Sequence, residues 1–332
     1  MRTITNLFIL TSSLLLASCS QSDDALTSGS GEDGQVPISV EASIANATLT
    51  RTAGYTPVPD GGAIGIFRTA PVTTDSPAQY DVKYTYGGSP AKWSPDDADN
   101  QITVGGEDAT LCAYYPQGTV TFTTNSTVTS LTVKDYSVAN DLCYADKPVQ
   151  ANVNNSQRKV SFLMNHAYAR IQLHIKRYAN PPAAVFPCKV SSIRLEPETT
   201  GSEFYTERTI DIGKAEGDAA QLGGTKTTGW TLDTSLLPMG TSGIAPNTED
   251  TSIDKLFPPQ IFTANTGTKV TLNIDGIVQQ VIIPYGKLQK LAAGNIYQVK
   301  LELHGQSLKL LSVEIMDWQD VTVGTGDDYE TH

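Results

Sequence analysis

The chain has 332 residues, a net charge of −12 and only 17% charged side chains. That balance excludes a nucleic-acid binder and a basic patch for anionic lipid, because no Lys/Arg cluster could neutralise several phosphates. The 27 glycines and 18 prolines fall mostly between short apolar runs, the punctuation of a turn-rich β protein.

Arg2 and the apolar stretch from Leu7 to Leu16, broken only by Thr11, Ser12 and Ser13, read as a secretory signal over residues 1–18. The stretch is too short to span a bilayer. Its ending, Leu16-Ala17-Ser18-Cys19, resembles the bacterial lipobox. The resemblance implies a diacylglyceryl group on the Cys19 sulfur, cleavage just before that residue, and a further acyl chain such as palmitate on its nitrogen. At about 0.8 kcal/mol per buried methylene, attachment by several chains is effectively permanent. Residues 19–35, rich in Ser, Gly and acidic side chains, form a flexible lipidated tether.

Beyond the tether the periodicity is two. Val36, Ile38, Val40, Ala42 and Ile44 alternate with Pro37, Ser39, Glu41 and Ser43, which predicts a half-buried first strand. Pro37, lacking an N–H, suits a strand end or edge. Residues 45–62 follow as an exposed loop, and Arg51 is the one basic residue between Cys19 and Phe67. Further strands are expected at 63–67, 109–115, 120–123, 131–138 and 160–164. The second half of the chain adds 169–176, 190–195, 209–212, 297–304 and 308–318. The alternating strands at 36–44, 169–176 and 297–304 are expected to be antiparallel. Asp275-Gly276 divides two apolar runs between Val270 and Ile283 and predicts a tight hairpin. Strand count and spacing give an all-β fold of two β-sandwich domains in tandem, over 36–157 and 158–332, divided at the polar run 152–158.

Chemistry is sparse. With Cys19 committed to lipid, Cys112, Cys143 and Cys188 remain, each among apolar residues, and they read as buried free thiols, with one disulfide as the rival. Of four histidines, His174 and His304 fall on solvent faces and His332 ends the chain. His166 sits at a strand entry with no H-E-x-x-H or nucleophile elbow, and reads as a hydrogen-bonded structural histidine, without carboxylate or thiol partners at catalytic spacing. The acidic runs at 96–100 and 327–330 lack the spacing of a calcium loop. No catalytic residue, metal or cofactor is expected.

The order of short motifs is more specific than any one of them. After the lipobox come Thr50-Arg51-Thr52, Gly65-Ile66-Phe67, Ala113-Tyr114-Tyr115-Pro116 and Asp141-Leu142-Cys143-Tyr144-Ala145. Phe162-Leu163-Met164-Asn165-His166-Ala167, Gly294-Asn295-Ile296-Tyr297 and Ile315-Met316-Asp317-Trp318 complete the series. It resembles the fimbrillin family, the type V pilins of Gram-negative bacteria, over essentially the whole chain. Cys143 departs from the methionine common at its position there.

The resemblance implies transthyretin-like, Greek-key sandwiches and a structural, non-enzymatic role as stalk, tip or accessory subunit of a surface fimbrium acting in cell adhesion. It implies transport to the cell outer membrane as a lipoprotein and cleavage by an arginine-specific surface protease between Arg51 and Thr52. The first strand (Val36, Ile38, Val40, Ala42 and Ile44) would then leave, and a strand from another fimbrial subunit would fill its groove by donor-strand exchange, a form of β-augmentation. A host or bacterial surface ligand is the remaining implied partner. Two other assignments stay open. One is an anchor subunit that keeps its lipid and first strand. The other is a lipid-anchored glycan-binding sandwich, with Tyr84, Tyr86 or Trp93 stacking on sugars.

Overall fold

The structure, a computed structural model, describes residues 34–46, 54–70, 78–118, 130–134, 141–154, 158–178, 186–213, 221–305 and 307–318. Among these, strands account for nearly all regular structure, and no helix is long and apolar enough to cross a membrane.

The first half contains β1 (Val36–Pro37), β2 (Ser39–Asn46), β3 (Gly54–Pro57), β4 (Ala63–Ala70), β5 (Gln79–Gly87) and β6 (Lys92–Pro95). It continues with β7 (Thr103–Val104), β8 (Ala109–Tyr115), β9 (Ser130–Lys134), β10 (Cys143–Ala145), β11 (Val149–Ala151) and β12 (Lys159–His166). Nine of these form one sheet, in the order β3-β2-β12-β10-β8-β4-β5-β6, with β11 beside β8. Period-two alternation gives that sheet two different apolar faces. Leu111 and Ala113 of β8 pack with Ile64, Ile66, Val160, Phe162 and Met164 in one core. Cys112 and Tyr114 of the same strand point the other way, into a separate cluster.

The second half contains β13 (Ala169–Arg177), β14 (Val190–Pro197), β15 (Phe204–Tyr205), β16 (Glu207–Asp211), β17 (Gln221–Gly223), β18 (Lys226–Thr227) and β19 (Trp230–Asp233). It ends with β20 (Glu249–Phe257), β21 (Gln260–Ile261), β22 (Thr268–Ile274), β23 (Ile277–Ile283), β24 (Lys290–Leu291), β25 (Asn295–His304) and β26 (Ser307–Asp317). Two four-stranded sheets, β20-β13-β25-β26 and β19-β14-β22-β23, enclose a core that includes Leu173, Ile175, Ile193, Leu272, Val299 and Leu301. The β22–β23 hairpin turns at Asp275 (φ 50°) and Gly276 (φ 81°), the left-handed conformation that this residue pair tolerates. The Asp275 carboxylate accepts hydrogen bonds from the backbone N–H groups of Cys188 (3.0 Å) and Lys189 (2.9 Å), tying the turn to the start of β14.

Three expectations are corrected here. The strands at 36–44, 169–176 and 297–304 do not lie in purely antiparallel surroundings: β2 runs parallel to β12, and β13 runs parallel to β25. Alternation reports which face a residue occupies and not the direction of its neighbour, and the long chain between each pair supplies the crossover that parallel pairing needs. The exposed loop expected over 45–62 is shorter, because β2 reaches Asn46 and β3 pairs back on it, Ala45 opposite Tyr55. Finally, β12 pairs with β10 and β2 of the first sheet, so a division at 157 would part this strand from its neighbours. The sheets change at Ala167-Tyr168, two buried residues between β12 and β13.

Those two residues belong to a third apolar cluster that joins the halves. Phe67, Cys112, Tyr114, Leu142 and Tyr144 come from the first half, and Ile210, Ile212, Leu256, Ile296 and Trp318 from the second. The sheet pairing of β9 with β16 crosses the same junction.

Candidate functional site

The first strand is built into the molecule at two levels. Val36-Pro37 pairs antiparallel with β7, and at Ile38 the chain changes partner. The N–H of Ile38 still donates to the Ile102 carbonyl (3.2 Å), whereas that of Ser39 donates to the Arg158 carbonyl (2.8 Å). From there β2 lies between β12 and β3, with Val40 opposite Val160, Ala42 opposite Phe162 and Ile44 opposite Met164. Ile38, Val40 and Ile44 are buried, and Val36 and Ala42 pack partly buried against the same core. All five side chains expected to face inward therefore do so. At about 1.5–3 kcal/mol for each large apolar side chain, withdrawing the strand would expose a deep apolar groove along β12. It would also unpair the β12 backbone on that side. Cys19, Arg51 and Thr52 lie outside the described residues, as do the expected strand at 120–123 and the acidic run at 327–330. Arg51 falls in the sequence between β2 and β3, so a cut there separates the two strands along the chain.

His166 is hydrogen-bonded, but it ends a strand where a strand entry is expected. It ends β12 directly opposite Cys143, and the structure gives it both a carboxylate and a thiol partner. Its Nδ1 donates to Oδ2 of Asp141, and Sγ of Cys143 lies 3.6 Å from the same nitrogen. The Cys143 thiol also lies 3.9 Å from Oδ2 of Asp141. The imidazole stacks on the Trp318 indole, with centroids 4.3 Å apart and planes 3° from parallel. Above the indole sits the Arg170 guanidinium, 5.4 Å from the ring centroid, which forms a bidentate pair with Asp254 (Nε to Oδ1 2.8 Å). Sequence separation hides this cluster: Asp141 and Cys143 are 25 and 23 residues from His166, and Trp318 directly follows β26.

The arrangement is not a nucleophile–base–carboxylate relay. Such a relay needs thiol and carboxylate on different ring nitrogens, whereas both address Nδ1 here, and the thiol is buried. Cys112, Cys143 and Cys188 are all buried and outside any disulfide. Burial and then the Asp211 charge push the Cys112 thiol up, and burial does the same to Cys188. Among the other expected surface features, Asp96, Asp97 and Asp99 are exposed, with Asp96 paired to Lys83 at 2.7 Å. Trp93 packs against the first core and tilts 46° to Tyr86.

This is an all-β protein with an N-terminal strand seated in the sheet and a polar cluster at the junction of its halves. Residues 50–318 match the family model described as fimbrillin-like, and the chain belongs to that family. No curated protein matches the sequence. Among solved structures, the chain is similar to a candidate cell adhesion protein from Bacteroides uniformis, with a TM-score of 0.54 at 15% identity, covering 87% of this chain and 99% of that one. A candidate cell adhesion protein from Bacteroides ovatus also gives a TM-score of 0.54 at 15% identity, over 86% and 98% of the two chains. At that identity the likeness is one of fold.

Proposed function

We propose that this protein is a structural subunit of a cell-surface fimbrium, exported as a lipoprotein on Cys19 and held at the outer membrane until assembly. A surface protease cuts between Arg51 and Thr52, the segment that carries the lipid and β2 departs, and a strand from another subunit enters the groove beside β12. Membership of the fimbrillin-like family and the solved adhesion proteins of similar fold support this reading. The observation that carries it is the placement of β2. Its inward side chains complete the core, and its main chain pairs with β12 and β3 in a way that a second strand could reproduce. Main-chain hydrogen bonds give such an exchange its affinity, and alternate side-chain pockets its register.

Limited trypsin digestion followed by size-exclusion chromatography tests the proposal. Cleavage after Arg51 yields a shortened chain that polymerises or takes up an added strand peptide, whereas Arg51→Ala stays monomeric. Cleavage that leaves β2 bound, with neither assembly nor strand uptake, rejects donor-strand exchange for this chain.

A further inference from the structure

We propose that Asp141, Cys143 and His166 form a binding site for a thiophilic divalent cation of the zinc class. The three residues occupy neighbouring strand ends, with Cys143 and His166 directly opposed across the antiparallel β10–β12 pair and Asp141 two positions before Cys143. One sulfur, one imidazole nitrogen and one carboxylate oxygen is a donor set that suits zinc and its thiophilic neighbours, and it does not suit calcium or magnesium, which take oxygen.

The spacing agrees. Zinc–ligand bonds of about 2.0 Å to nitrogen or oxygen and about 2.3 Å to sulfur place tetrahedral donors about 3.3–3.6 Å apart. The Sγ to Nδ1 separation is already 3.6 Å, and Sγ to Oδ2 is 3.9 Å. Only the contact between Nδ1 and Oδ2 is too close, being a direct hydrogen bond. A single sideways shift of the carboxylate, away from Nδ1 and towards Sγ, brings all three separations into range. Asp141 is the member able to make that shift, since its side chain is 18% exposed while that of His166 is 1% exposed.

The surroundings fix the other two donors. Cys143 is held by the ladder on both sides, by β12 and by β8. Stacking on Trp318 sets the plane of the imidazole, which aims Nδ1 at the other donors. On metal capture the Cys143 thiol loses its proton to solvent, and the neutral imidazole carries its proton on Nε2. The part-exposed Asp141 side leaves room for a water as fourth ligand. Because Trp318 lies against the imidazole, the bound ion would also brace the junction between the halves.

The test is a titration of the purified full chain with Co²⁺ alone, then with Zn²⁺ in competition. The expected result is one equivalent of Co²⁺, thiolate-to-cobalt charge-transfer absorption in the near ultraviolet, visible bands of a tetrahedral site, and loss of both when Zn²⁺ is added. Cys143→Ser abolishes the charge-transfer band, whereas Cys112→Ser and Cys188→Ser leave it intact. Asp141→Asn, at the exposed rim, weakens binding by about tenfold or more and serves if Cys143→Ser fails to fold. Absence of the band in the wild-type chain overturns the proposal, as does a band that survives Cys143→Ser, or unchanged affinity in Asp141→Asn. None of these outcomes bears on strand exchange at β2.

Discussion

The imidazole of His166 lies flat against the indole of Trp318, 4.3 Å between centroids, so the last residue of β12 and the residue just after β26 share one stack. Trp318 is 1% exposed, and its backbone N–H donates to the Gly294 carbonyl at 2.8 Å. The N–H of Gly294 in turn donates to the carbonyl of Tyr168, also at 2.8 Å, the residue where the chain passes from one half to the other. The stack therefore closes the junction from both ends of the second half.

Removing it should be felt throughout the molecule. Trp318→Ala is expected to cost about 3–5 kcal/mol, the range for a large buried aromatic. His166→Ala should cost about 1–3 kcal/mol, because Asp141 loses the Nδ1–H bond. Urea unfolding of the two single variants and the double variant measures the coupling, expected at about 0.5–1.5 kcal/mol for stacked rings. Additive losses would remove the stack as a source of stability.

Ile44 tests the packing of the first strand. It is buried opposite Met164, and Ile44→Ala should destabilise the uncut protein by about 2–5 kcal/mol. The same variant should release β2 faster after cleavage at Arg51, read as the rate of strand-peptide uptake. Ala45→Ser, on the other side of the strand, should change neither quantity by more than about 0.5 kcal/mol.

Glu196 gives the acid limb of the stability profile a defined component. Its pKa is held below the usual carboxylate range, first by Lys269 (Nζ to Oε1 2.7 Å) and then by Arg194 (Nε to Oε2 2.7 Å), against an opposing effect of burial. A carboxylate depressed in the folded state stabilises fully above its unfolded pKa of about 4.3, and that contribution is lost as pH falls through the lower folded value. Urea midpoints measured from pH 7 down to pH 3 should therefore fall less steeply below about pH 4.3 in Glu196→Gln than in the wild type. Parallel curves would exclude this residue.

Thiol chemistry should follow burial. Cys112 and Cys188 have raised pKa values and buried side chains, so alkylation of the native protein at mildly alkaline pH should leave both unmodified. Denaturant should make both react within minutes, as peptide mapping by mass spectrometry can establish. Rapid native labelling of Cys112 would mean that the junction cluster opens readily.

Much of the fold was legible because period-two alternation is a local property. The strand at Ala109–Tyr115 and the turn at Asp275-Gly276 stand where short-range pattern puts them. So do the inward residues of the first strand, since side-chain facing follows from the pleat alone. Glu249–Phe257 was not legible: its buried Ile253, Leu256 and Phe257 break the alternation, and its register against β13 is irregular. Gln79–Gly87 carried a readable alternation of Tyr80, Val82, Tyr84 and Tyr86, but its register against β4 shifts near Asp81, which has φ 51°.

The sequence by itself determined the all-β class, the faces of its strands, the family resemblance and the poverty of basic or catalytic motifs, because composition and alternation act over a few residues. Tertiary structure decided which strands became neighbours and in which direction, where one half passes to the other, and what surrounds His166. Its carboxylate and thiol partners come from the start of β10 and its indole partner from just after β26, and only the closing of the sheets brings them within reach. No spacing along the chain encodes a contact made by the return of β26 to the end of β12, since that distance is set by the packing of every strand between them.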